Sequence, residues 1–167
     1  VGINVYRPNI YVEPSVEPEG DDVIVTFTIL RGDPITLDAL TVGGTEGLMD
    51  PDSIAATLPL QPGNIFHLGE FIESSDRIVR ALQRRGHAYA EAFRSFTVDT
   101  VDNRAEAHIE IVPGPQVTVD SIIVTGAPNL GRRATLRQLE IREGELLRSS
   151  QLLESQRNLY SLELVSL

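Results

Sequence analysis

Between Asp22 and Ile29 the chain alternates, with Val23, Val25, Phe27 and Ile29 on one side and Asp22, Ile24, Thr26 and Thr28 on the other. A period of two predicts a strand with one buried face. Asn9 to Val16 reads as a second strand and Glu17-Pro18-Glu19-Gly20-Asp21 as the turn between them, so residues 1–32 predict a β-hairpin. Ile35 to Val42 is rich in β-branched residues and ends at Gly43-Gly44; its alternation shifts between Ala39 and Leu40, which predicts a bulge or an edge position. Asp50 then offers a helix cap, Pro51 suits the first helical position, and Pro59 closes that short helix. Leu68, Phe71, Ile72, Ile78, Val79 and Leu82 recur at helical spacing and predict a longer amphipathic helix. Arg84 and Arg85 fall in its last turn and Gly86 is its stop. Two strands follow, Tyr89 to Val98 and Arg104 to Val112, with Asp99 to Asn103 as their turn. In the second, Ala105, Ala107, Ile109 and Ile111 point inward. In the first, Phe93 is the better core candidate than Phe96, because Ala90-Ala92-Arg94 makes a poor apolar face.

The pattern then starts again. Gly32-Asp33-Pro34-Ile35-Thr36-Leu37-Asp38 reappears as Gly114-Pro115-Gln116-Val117-Thr118-Val119-Asp120, at an offset of 82 residues. Leu58-Pro59-Leu60-Gln61-Pro62-Gly63 recurs as Leu139-Glu140-Ile141-Arg142-Glu143-Gly144, and Phe71-Ile72-Glu73-Ser74 as Leu152-Leu153-Glu154-Ser155, at an offset of 81. Val117 to Val124 therefore predicts a strand, Arg132 to Leu139 a short helix, and Ser150 to Tyr160 a second helix with Leu152, Leu153, Gln156, Leu159 and Tyr160 on one face. Ser149 and Ser150 read as its caps. A repeat this long is a small domain rather than a solenoid turn. The expected division is 1–32, the last hairpin of one unit; 33–113, a complete unit; and 114–167, the first strand and both helices of the next.

Composition narrows the function classes. The formal charge is −10, which argues against nucleic acid, since phosphate binding needs a basic patch. All fourteen basic residues are Arg, a bias of composition rather than of mechanism. There is no cysteine, hence no disulfide or thiolate metal site. No apolar run approaches the roughly 20 residues of a membrane span. The chain starts inside a module, so the lack of a signal peptide at Val1 carries no information about location.

The order β-α-α-β-β, seen twice, resembles the POTRA (polypeptide-transport-associated) domain of BamA- and TamA-type outer-membrane assembly proteins and two-partner secretion transporters. The resemblance rests on four features. The strand exit Ile29 to Ile35 is echoed by Ile111 to Val117, and strands end in Val42-Gly43-Gly44 and Val124-Thr125-Gly126. A Leu-x-Leu/Ile-x-x-Gly segment precedes each long helix, and Gly86-His87 stands where the family usually has Gly-Tyr. It implies an α+β fold of tandem POTRA modules, each a three-stranded mixed sheet covered by two helices. It also implies a non-enzymatic periplasmic arm at the outer membrane, attached to a C-terminal β-barrel outside this sequence. The partners implied are unfolded outer-membrane protein segments or periplasmic accessory proteins. The alternative is the arm of a two-partner secretion transporter recognising a single exported substrate.

In that arrangement the strand from Tyr89 to Val98 lies at the sheet edge. An edge leaves backbone N–H and C=O groups unpaired, so an extended peptide can add as a further strand. The candidate partner-binding residues are Tyr89, Glu91, Ala92, Arg94, Phe96 and Val98. The competing reading is an edge that packs against a neighbouring module. No catalytic, cofactor or metal site is expected. His67, His87 and His108 lack zinc-site spacing, and Glu17, Glu19, Asp21 and Asp22 read as a solvated hairpin tip. Ser74, Ser75, Ser149 and Ser150 have no nucleophile elbow, and Gly43, Gly44 and Gly47 form no phosphate loop. Residues 1–32 and 114–167 together hold the parts of one unit, so a domain-swapped homo-oligomer is a further expectation, its alternative being a chain cut short.

Overall fold

The computed structural model describes residues 10–20, 22–125 and 131–165. Its elements are β1 (Tyr11–Glu19), β2 (Asp22–Leu30), β3 (Thr36–Gly43), α1 (Pro51–Ala55), α2 (Leu68–Arg84), β4 (Glu91–Asp99), β5 (Arg104–Val112), α3 (Arg132–Leu136) and α4 (Ser149–Val165). β1 and β2 form a two-stranded sheet, and β3, β5 and β4 form a three-stranded one in that order. β3 runs parallel to β5 and β4 antiparallel to it, so the sheet is mixed. α1 packs on β3, and α2 on β4 and β5. This is the expected α+β arrangement of a mixed sheet covered by helices.

β5 organises the core. Its residues alternate exposed and buried without exception, with Ala105, Ala107, Ile109 and Ile111 inward. Against this face pack Ile35 and Leu37 from the approach to and start of β3, Leu58, Leu60 and Phe66 from the turns, and Phe71, Ile78 and Leu82 from α2. Register decides which face of β4 joins them. Ala92, Arg94, Phe96 and Val98 lie directly opposite Ile111, Ile109, Ala107 and Ala105. Directly opposed residues share a face. The Phe96 ring accordingly lies 5.0 Å from that of Phe66 and 6.1 Å from that of Phe71. Phe93 is exposed on the other face, which corrects the expectation that it would be buried. Small alanines let α2 approach the sheet, and Arg94 reaches past the core so that its head group donates to Ser75 Oγ at 2.8 Å.

Several boundaries also differ from the sequence reading. The hairpin pairs as far as Glu19↔Asp22, a tighter turn than Glu17–Asp21, with Gly20 at φ +66° in the left-handed region. The β3 irregularity falls between Leu37 and Ala39, leaving Asp38 as the extra residue. α1 is capped as expected, Ser53 N donating to Asp50 Oδ2 at 3.0 Å. On α2 the buried stripe is Phe71, Ser74, Ser75, Ile78 and Leu82, while Leu68 and Ile72 are exposed. α3 ends at Leu136, and α4 begins at Ser149, which makes the serines its first residues rather than its caps. Residues 117–124 form an isolated bridge, Thr118↔Leu146, and not a strand, because among the described residues the only β-type pairing they make is with the 144–147 segment. Leu152, Leu153 and Tyr160 are exposed, with no sheet beneath them among the described residues. Gly126 of the second strand exit lies outside the described residues.

The internal repeat appears as repeated hydrogen bonds. Leu37 N donates to Asn64 O at 2.8 Å, Gly63 N to Leu37 O at 2.7 Å and Phe66 N to Ile35 O at 2.7 Å. The counterparts are Val119 N to Glu145 O at 2.9 Å, Gly144 N to Val119 O at 2.7 Å and Leu147 N to Val117 O at 2.8 Å. Ser74 and Ser155, matched in the sequence repeat, are both buried, and their hydroxyls accept from Leu60 N and Glu140 N. The hairpin repeats as well. Val23, Val25, Phe27 and Ile29 of β2 precede the inward residues of β5 by 82 positions, and they pair with Pro18, Val16, Pro14 and Val12 to make one apolar face.

The joint after β5 is pinned to the end of α2. Val117 N donates to Gly86 O at 2.9 Å, Gln116 Nε2 to Arg85 O at 3.1 Å, and buried His87 donates through Nδ1 to Gly114 O at 2.8 Å.

Two substitutions test this packing by chemical denaturation. Phe66→Ala is expected to lower stability by about 3–5 kcal/mol, with Phe96→Ala giving a smaller loss and Phe93→Ala a change within about 0.5 kcal/mol. Gly44→Ala is expected to break the β3–β5 pairing outright. Gly44 has φ +76°, and a Cβ there would lie 1.9 Å from Ile111 O.

Candidate functional site

The two edges of the three-stranded sheet are not equivalent. β3 forms one edge, and its first half is closed by the Gly63–Phe66 segment through the bonds to Leu37 and Ile35, with the bridge Thr36↔Ile65. The Asp38 bulge follows immediately. Both devices discourage strand addition. β4 forms the other edge, and among the described residues it pairs with β5 alone. Alternate N–H and C=O groups along nine residues therefore face outward without a strand partner.

Beside this edge runs one flank of α2. Leu68, Ile72, Ser75 and Val79 succeed one another at spacings of four, three and four, which sets them on one side of the helix. Arg94 fixes that side as the β4 side, because its guanidinium donates to Ser75 Oγ and lies 3.5 Å from Asp76 Oδ1. Leu68 and Ile72 are both about 40% exposed, and Phe96 is 36% exposed, so an apolar strip accompanies the open edge. An extended peptide at β4 would meet backbone partners first and this strip second.

The six expected residues do not form one side-chain surface. Tyr89 precedes the strand and is exposed, and Glu91 lies on the outer face of the sheet. Ala92, Arg94, Phe96 and Val98 turn toward α2 and the core, only their backbone being common to the edge. Three residues escaped the sequence reading. Phe93 is exposed on the outer face, and Leu68 and Ile72 lie on the α2 flank. The last two belong to the apolar stripe that predicts α2, and a stripe wider than one helix face cannot be divided between core and flank by periodicity alone.

At the far end of β4, Asp99 accepts from Val101 N at 2.8 Å and Asp102 N at 3.1 Å. These backbone donors, Asp102 foremost, hold its carboxyl below the ordinary value of 3.8. The histidines are separate. His67 precedes α2, His87 bonds the joint, and His108 Nε2 lies 3.3 Å from Glu110 Oε2. Among the described residues no group of three or more His, Cys, Asp and Glu side chains is placed to hold a metal, and no helix is long and apolar enough to cross a membrane.

Similarity to other proteins agrees with this geometry. No family model matches the chain. A curated protein of Treponema pallidum (strain Nichols), described as "Putative outer membrane protein assembly factor", is 21% identical over 155 residues, which is 93% of this chain and 18% of that protein. The crystal structure of POTRA domains 3–5 of Haemophilus influenzae BamA superposes with a TM-score of 0.72 at 16% identity, over 96% of this chain and 64% of that one. Haemophilus ducreyi BamA lacking POTRA domains 1–3 gives 0.62 at 19% identity, over 76% of this chain and 24% of that one. The fold is that of POTRA domains, and the chain spans under a fifth of its curated relative.

The Asp99 turn gives a test of how β4 is anchored. Its folded-state pKa is depressed, so its contribution is present above the ordinary carboxylate value and is lost as pH falls through the folded value. Asp99→Asn keeps an acceptor but cannot titrate. Urea denaturation on going from neutral to strongly acidic pH should show a smaller acid loss for this variant than for the parent chain.

Proposed function

We propose that this chain, folded as tandem POTRA modules, is part of the periplasmic arm of an outer-membrane β-barrel assembly protein and receives extended client segments on the open edge of β4. The observation that carries the reading is the asymmetry of the sheet, closed along part of β3 and open along β4. The curated relative described as an assembly factor supports the biological setting and favours it over a two-partner secretion arm. Within this reading residues 33–113 are the complete unit, 1–32 the end of the unit before and 114–167 the start of the unit after. The arm works without catalysis. It acts as a docking surface for nascent barrel strands or periplasmic accessory proteins, with its own β-barrel further along the protein.

Strand addition suits such a task because backbone bonds hold many sequences, and side-chain pockets discriminate only weakly. The α2 flank would add affinity for segments with an apolar residue at alternate positions, which is the pattern of a barrel strand.

The test is an amide NMR titration of the labelled chain with a peptide copied from one β-barrel strand. Shifts are expected along Glu91–Asp99 and at Leu68 and Ile72. Adjacent β4 residues point their N–H groups in opposite directions, so of Ala92→Pro and Phe93→Pro, neither of which removes a large core side chain, one removes an edge donor and the other a ladder donor. The edge variant should stay folded and lose binding. Shifts confined to the outer sheet face, or binding indifferent to the edge proline, would sink the proposal.

A further inference from the structure

The other side of α2 carries a second groove, and the geometry points to it as a docking site for an acidic, amphipathic helix of a partner protein. The groove lies between α1 and α2 and encloses about 410 Å³. Met49, Ile54, Leu58 and Ala81 supply its apolar lining, and Arg80 and Arg84 stand on its α2 side. Arg85 donates to Leu48 O at 2.6 Å, tying the loop before α1 to the end of α2.

The charges on this side are unbalanced in a way the fold does not require. Glu73 lies 2.8 Å from Arg77, so that pair is satisfied. Asp76 sits four residues before Arg80, the spacing at which a helix pairs opposite charges, yet it is engaged with Arg94. Asp50, the acid of the groove, caps α1 through Ser53. Arg80 and Arg84 are left exposed, without an ion-pair partner among the described residues of a chain whose net charge is −10. Four residues apart, they repel each other. The helix dipole compensates Arg84 in the last turn but not Arg80, one turn earlier.

The spacing selects the occupant. Arg80 and Arg84 are separated by about 6 Å along the helix axis, the rise between carboxylates at i and i+4 on a docked helix. Two guanidinium forks suit two carboxylates, and an apolar floor beneath them suits the leucine of an amphipathic helix laid between α1 and α2. A phosphate bridging the two arginines would leave the apolar floor bare. This site is independent of the β4 edge.

The test uses the full 167-residue chain and a blocked helical peptide of about 15 residues, near the length at which isolated helices become stable. The peptide carries Glu at i and i+4 with leucines on the adjoining face, and a Gln counterpart serves as control. The Glu peptide should bind at least about tenfold more tightly than the Gln peptide, with amide shifts at Met49, Ile54 and Ala81. Arg80→Gln/Arg84→Gln should remove that difference while the circular dichroism spectrum and strand-peptide binding at β4 stay unchanged. Arg80→Lys/Arg84→Lys, which keeps charge without the fork, should restore it only in part. Equal binding of the two peptides overturns the proposal, as does failure of the Glu peptide to bind. Arginine-dependent binding of anionic phospholipid vesicles or inorganic phosphate in place of the peptide also overturns it.

Discussion

The module depends on β5. Among the described residues it is the only strand with a neighbour on each side, and its inward face of Ala105, Ala107, Ile109 and Ile111 sets the depth of the layer above it. Two alanines followed by two isoleucines make that floor shallow at one end and tall at the other. Phe96, opposite Ala107, drops into the shallow end with Phe66 and Phe71, whereas Ala92 and Arg94 sit opposite the isoleucines. A pleated sheet permits no intermediate choice, because slipping β4 by one residue would exchange its faces. The aromatic cluster, the outward turn of Phe93 and the reach of Arg94 toward α2 all follow from that one register.

A second constraint is the clamp between the turn before α2 and the start of β3. Buried Ser74 accepts from Leu60 N, Gly63 takes the left-handed conformation at φ +87°, and Leu37 and Ile35 exchange backbone bonds with residues 63–66. The same set recurs around Ser155 and Gly144, although among the described residues no β-ladder runs beside it. The clamp is thus local. It holds a strand start, a turn and a helix together, and the rest of the sheet is laid against it. This accounts for the identity of Gly63 with Gly144 and of Ser74 with Ser155 in the sequence repeat.

The element order and fold class were legible because periodicity changes cleanly from two to 3.6 and back. The open β4 edge followed from the order of strands once the family likeness was drawn. The face of β4 was not legible. Its two sets of alternating residues each hold one phenylalanine, and composition favours the wrong one until the register with β5 is known. The division of the α2 stripe between core and flank was hidden for a similar reason. Serines at 74 and 75 interrupt the buried face while leucine and isoleucine at 68 and 72 decorate its border, the reverse of what hydrophobicity suggests. The joint was not legible either, since proline and glycine at 113–115 signal a turn without disclosing that His87 and Gly86 hold it down.

The partial closure of β3 gives sheet growth a polarity. A sheet with two live edges can be an interior member of a stack of chains, extended from both sides, and such sheets propagate into fibres. With the start of β3 obstructed, extension is favoured outward from β4. A module built this way tends to end a sheet it joins rather than to serve as a link within one.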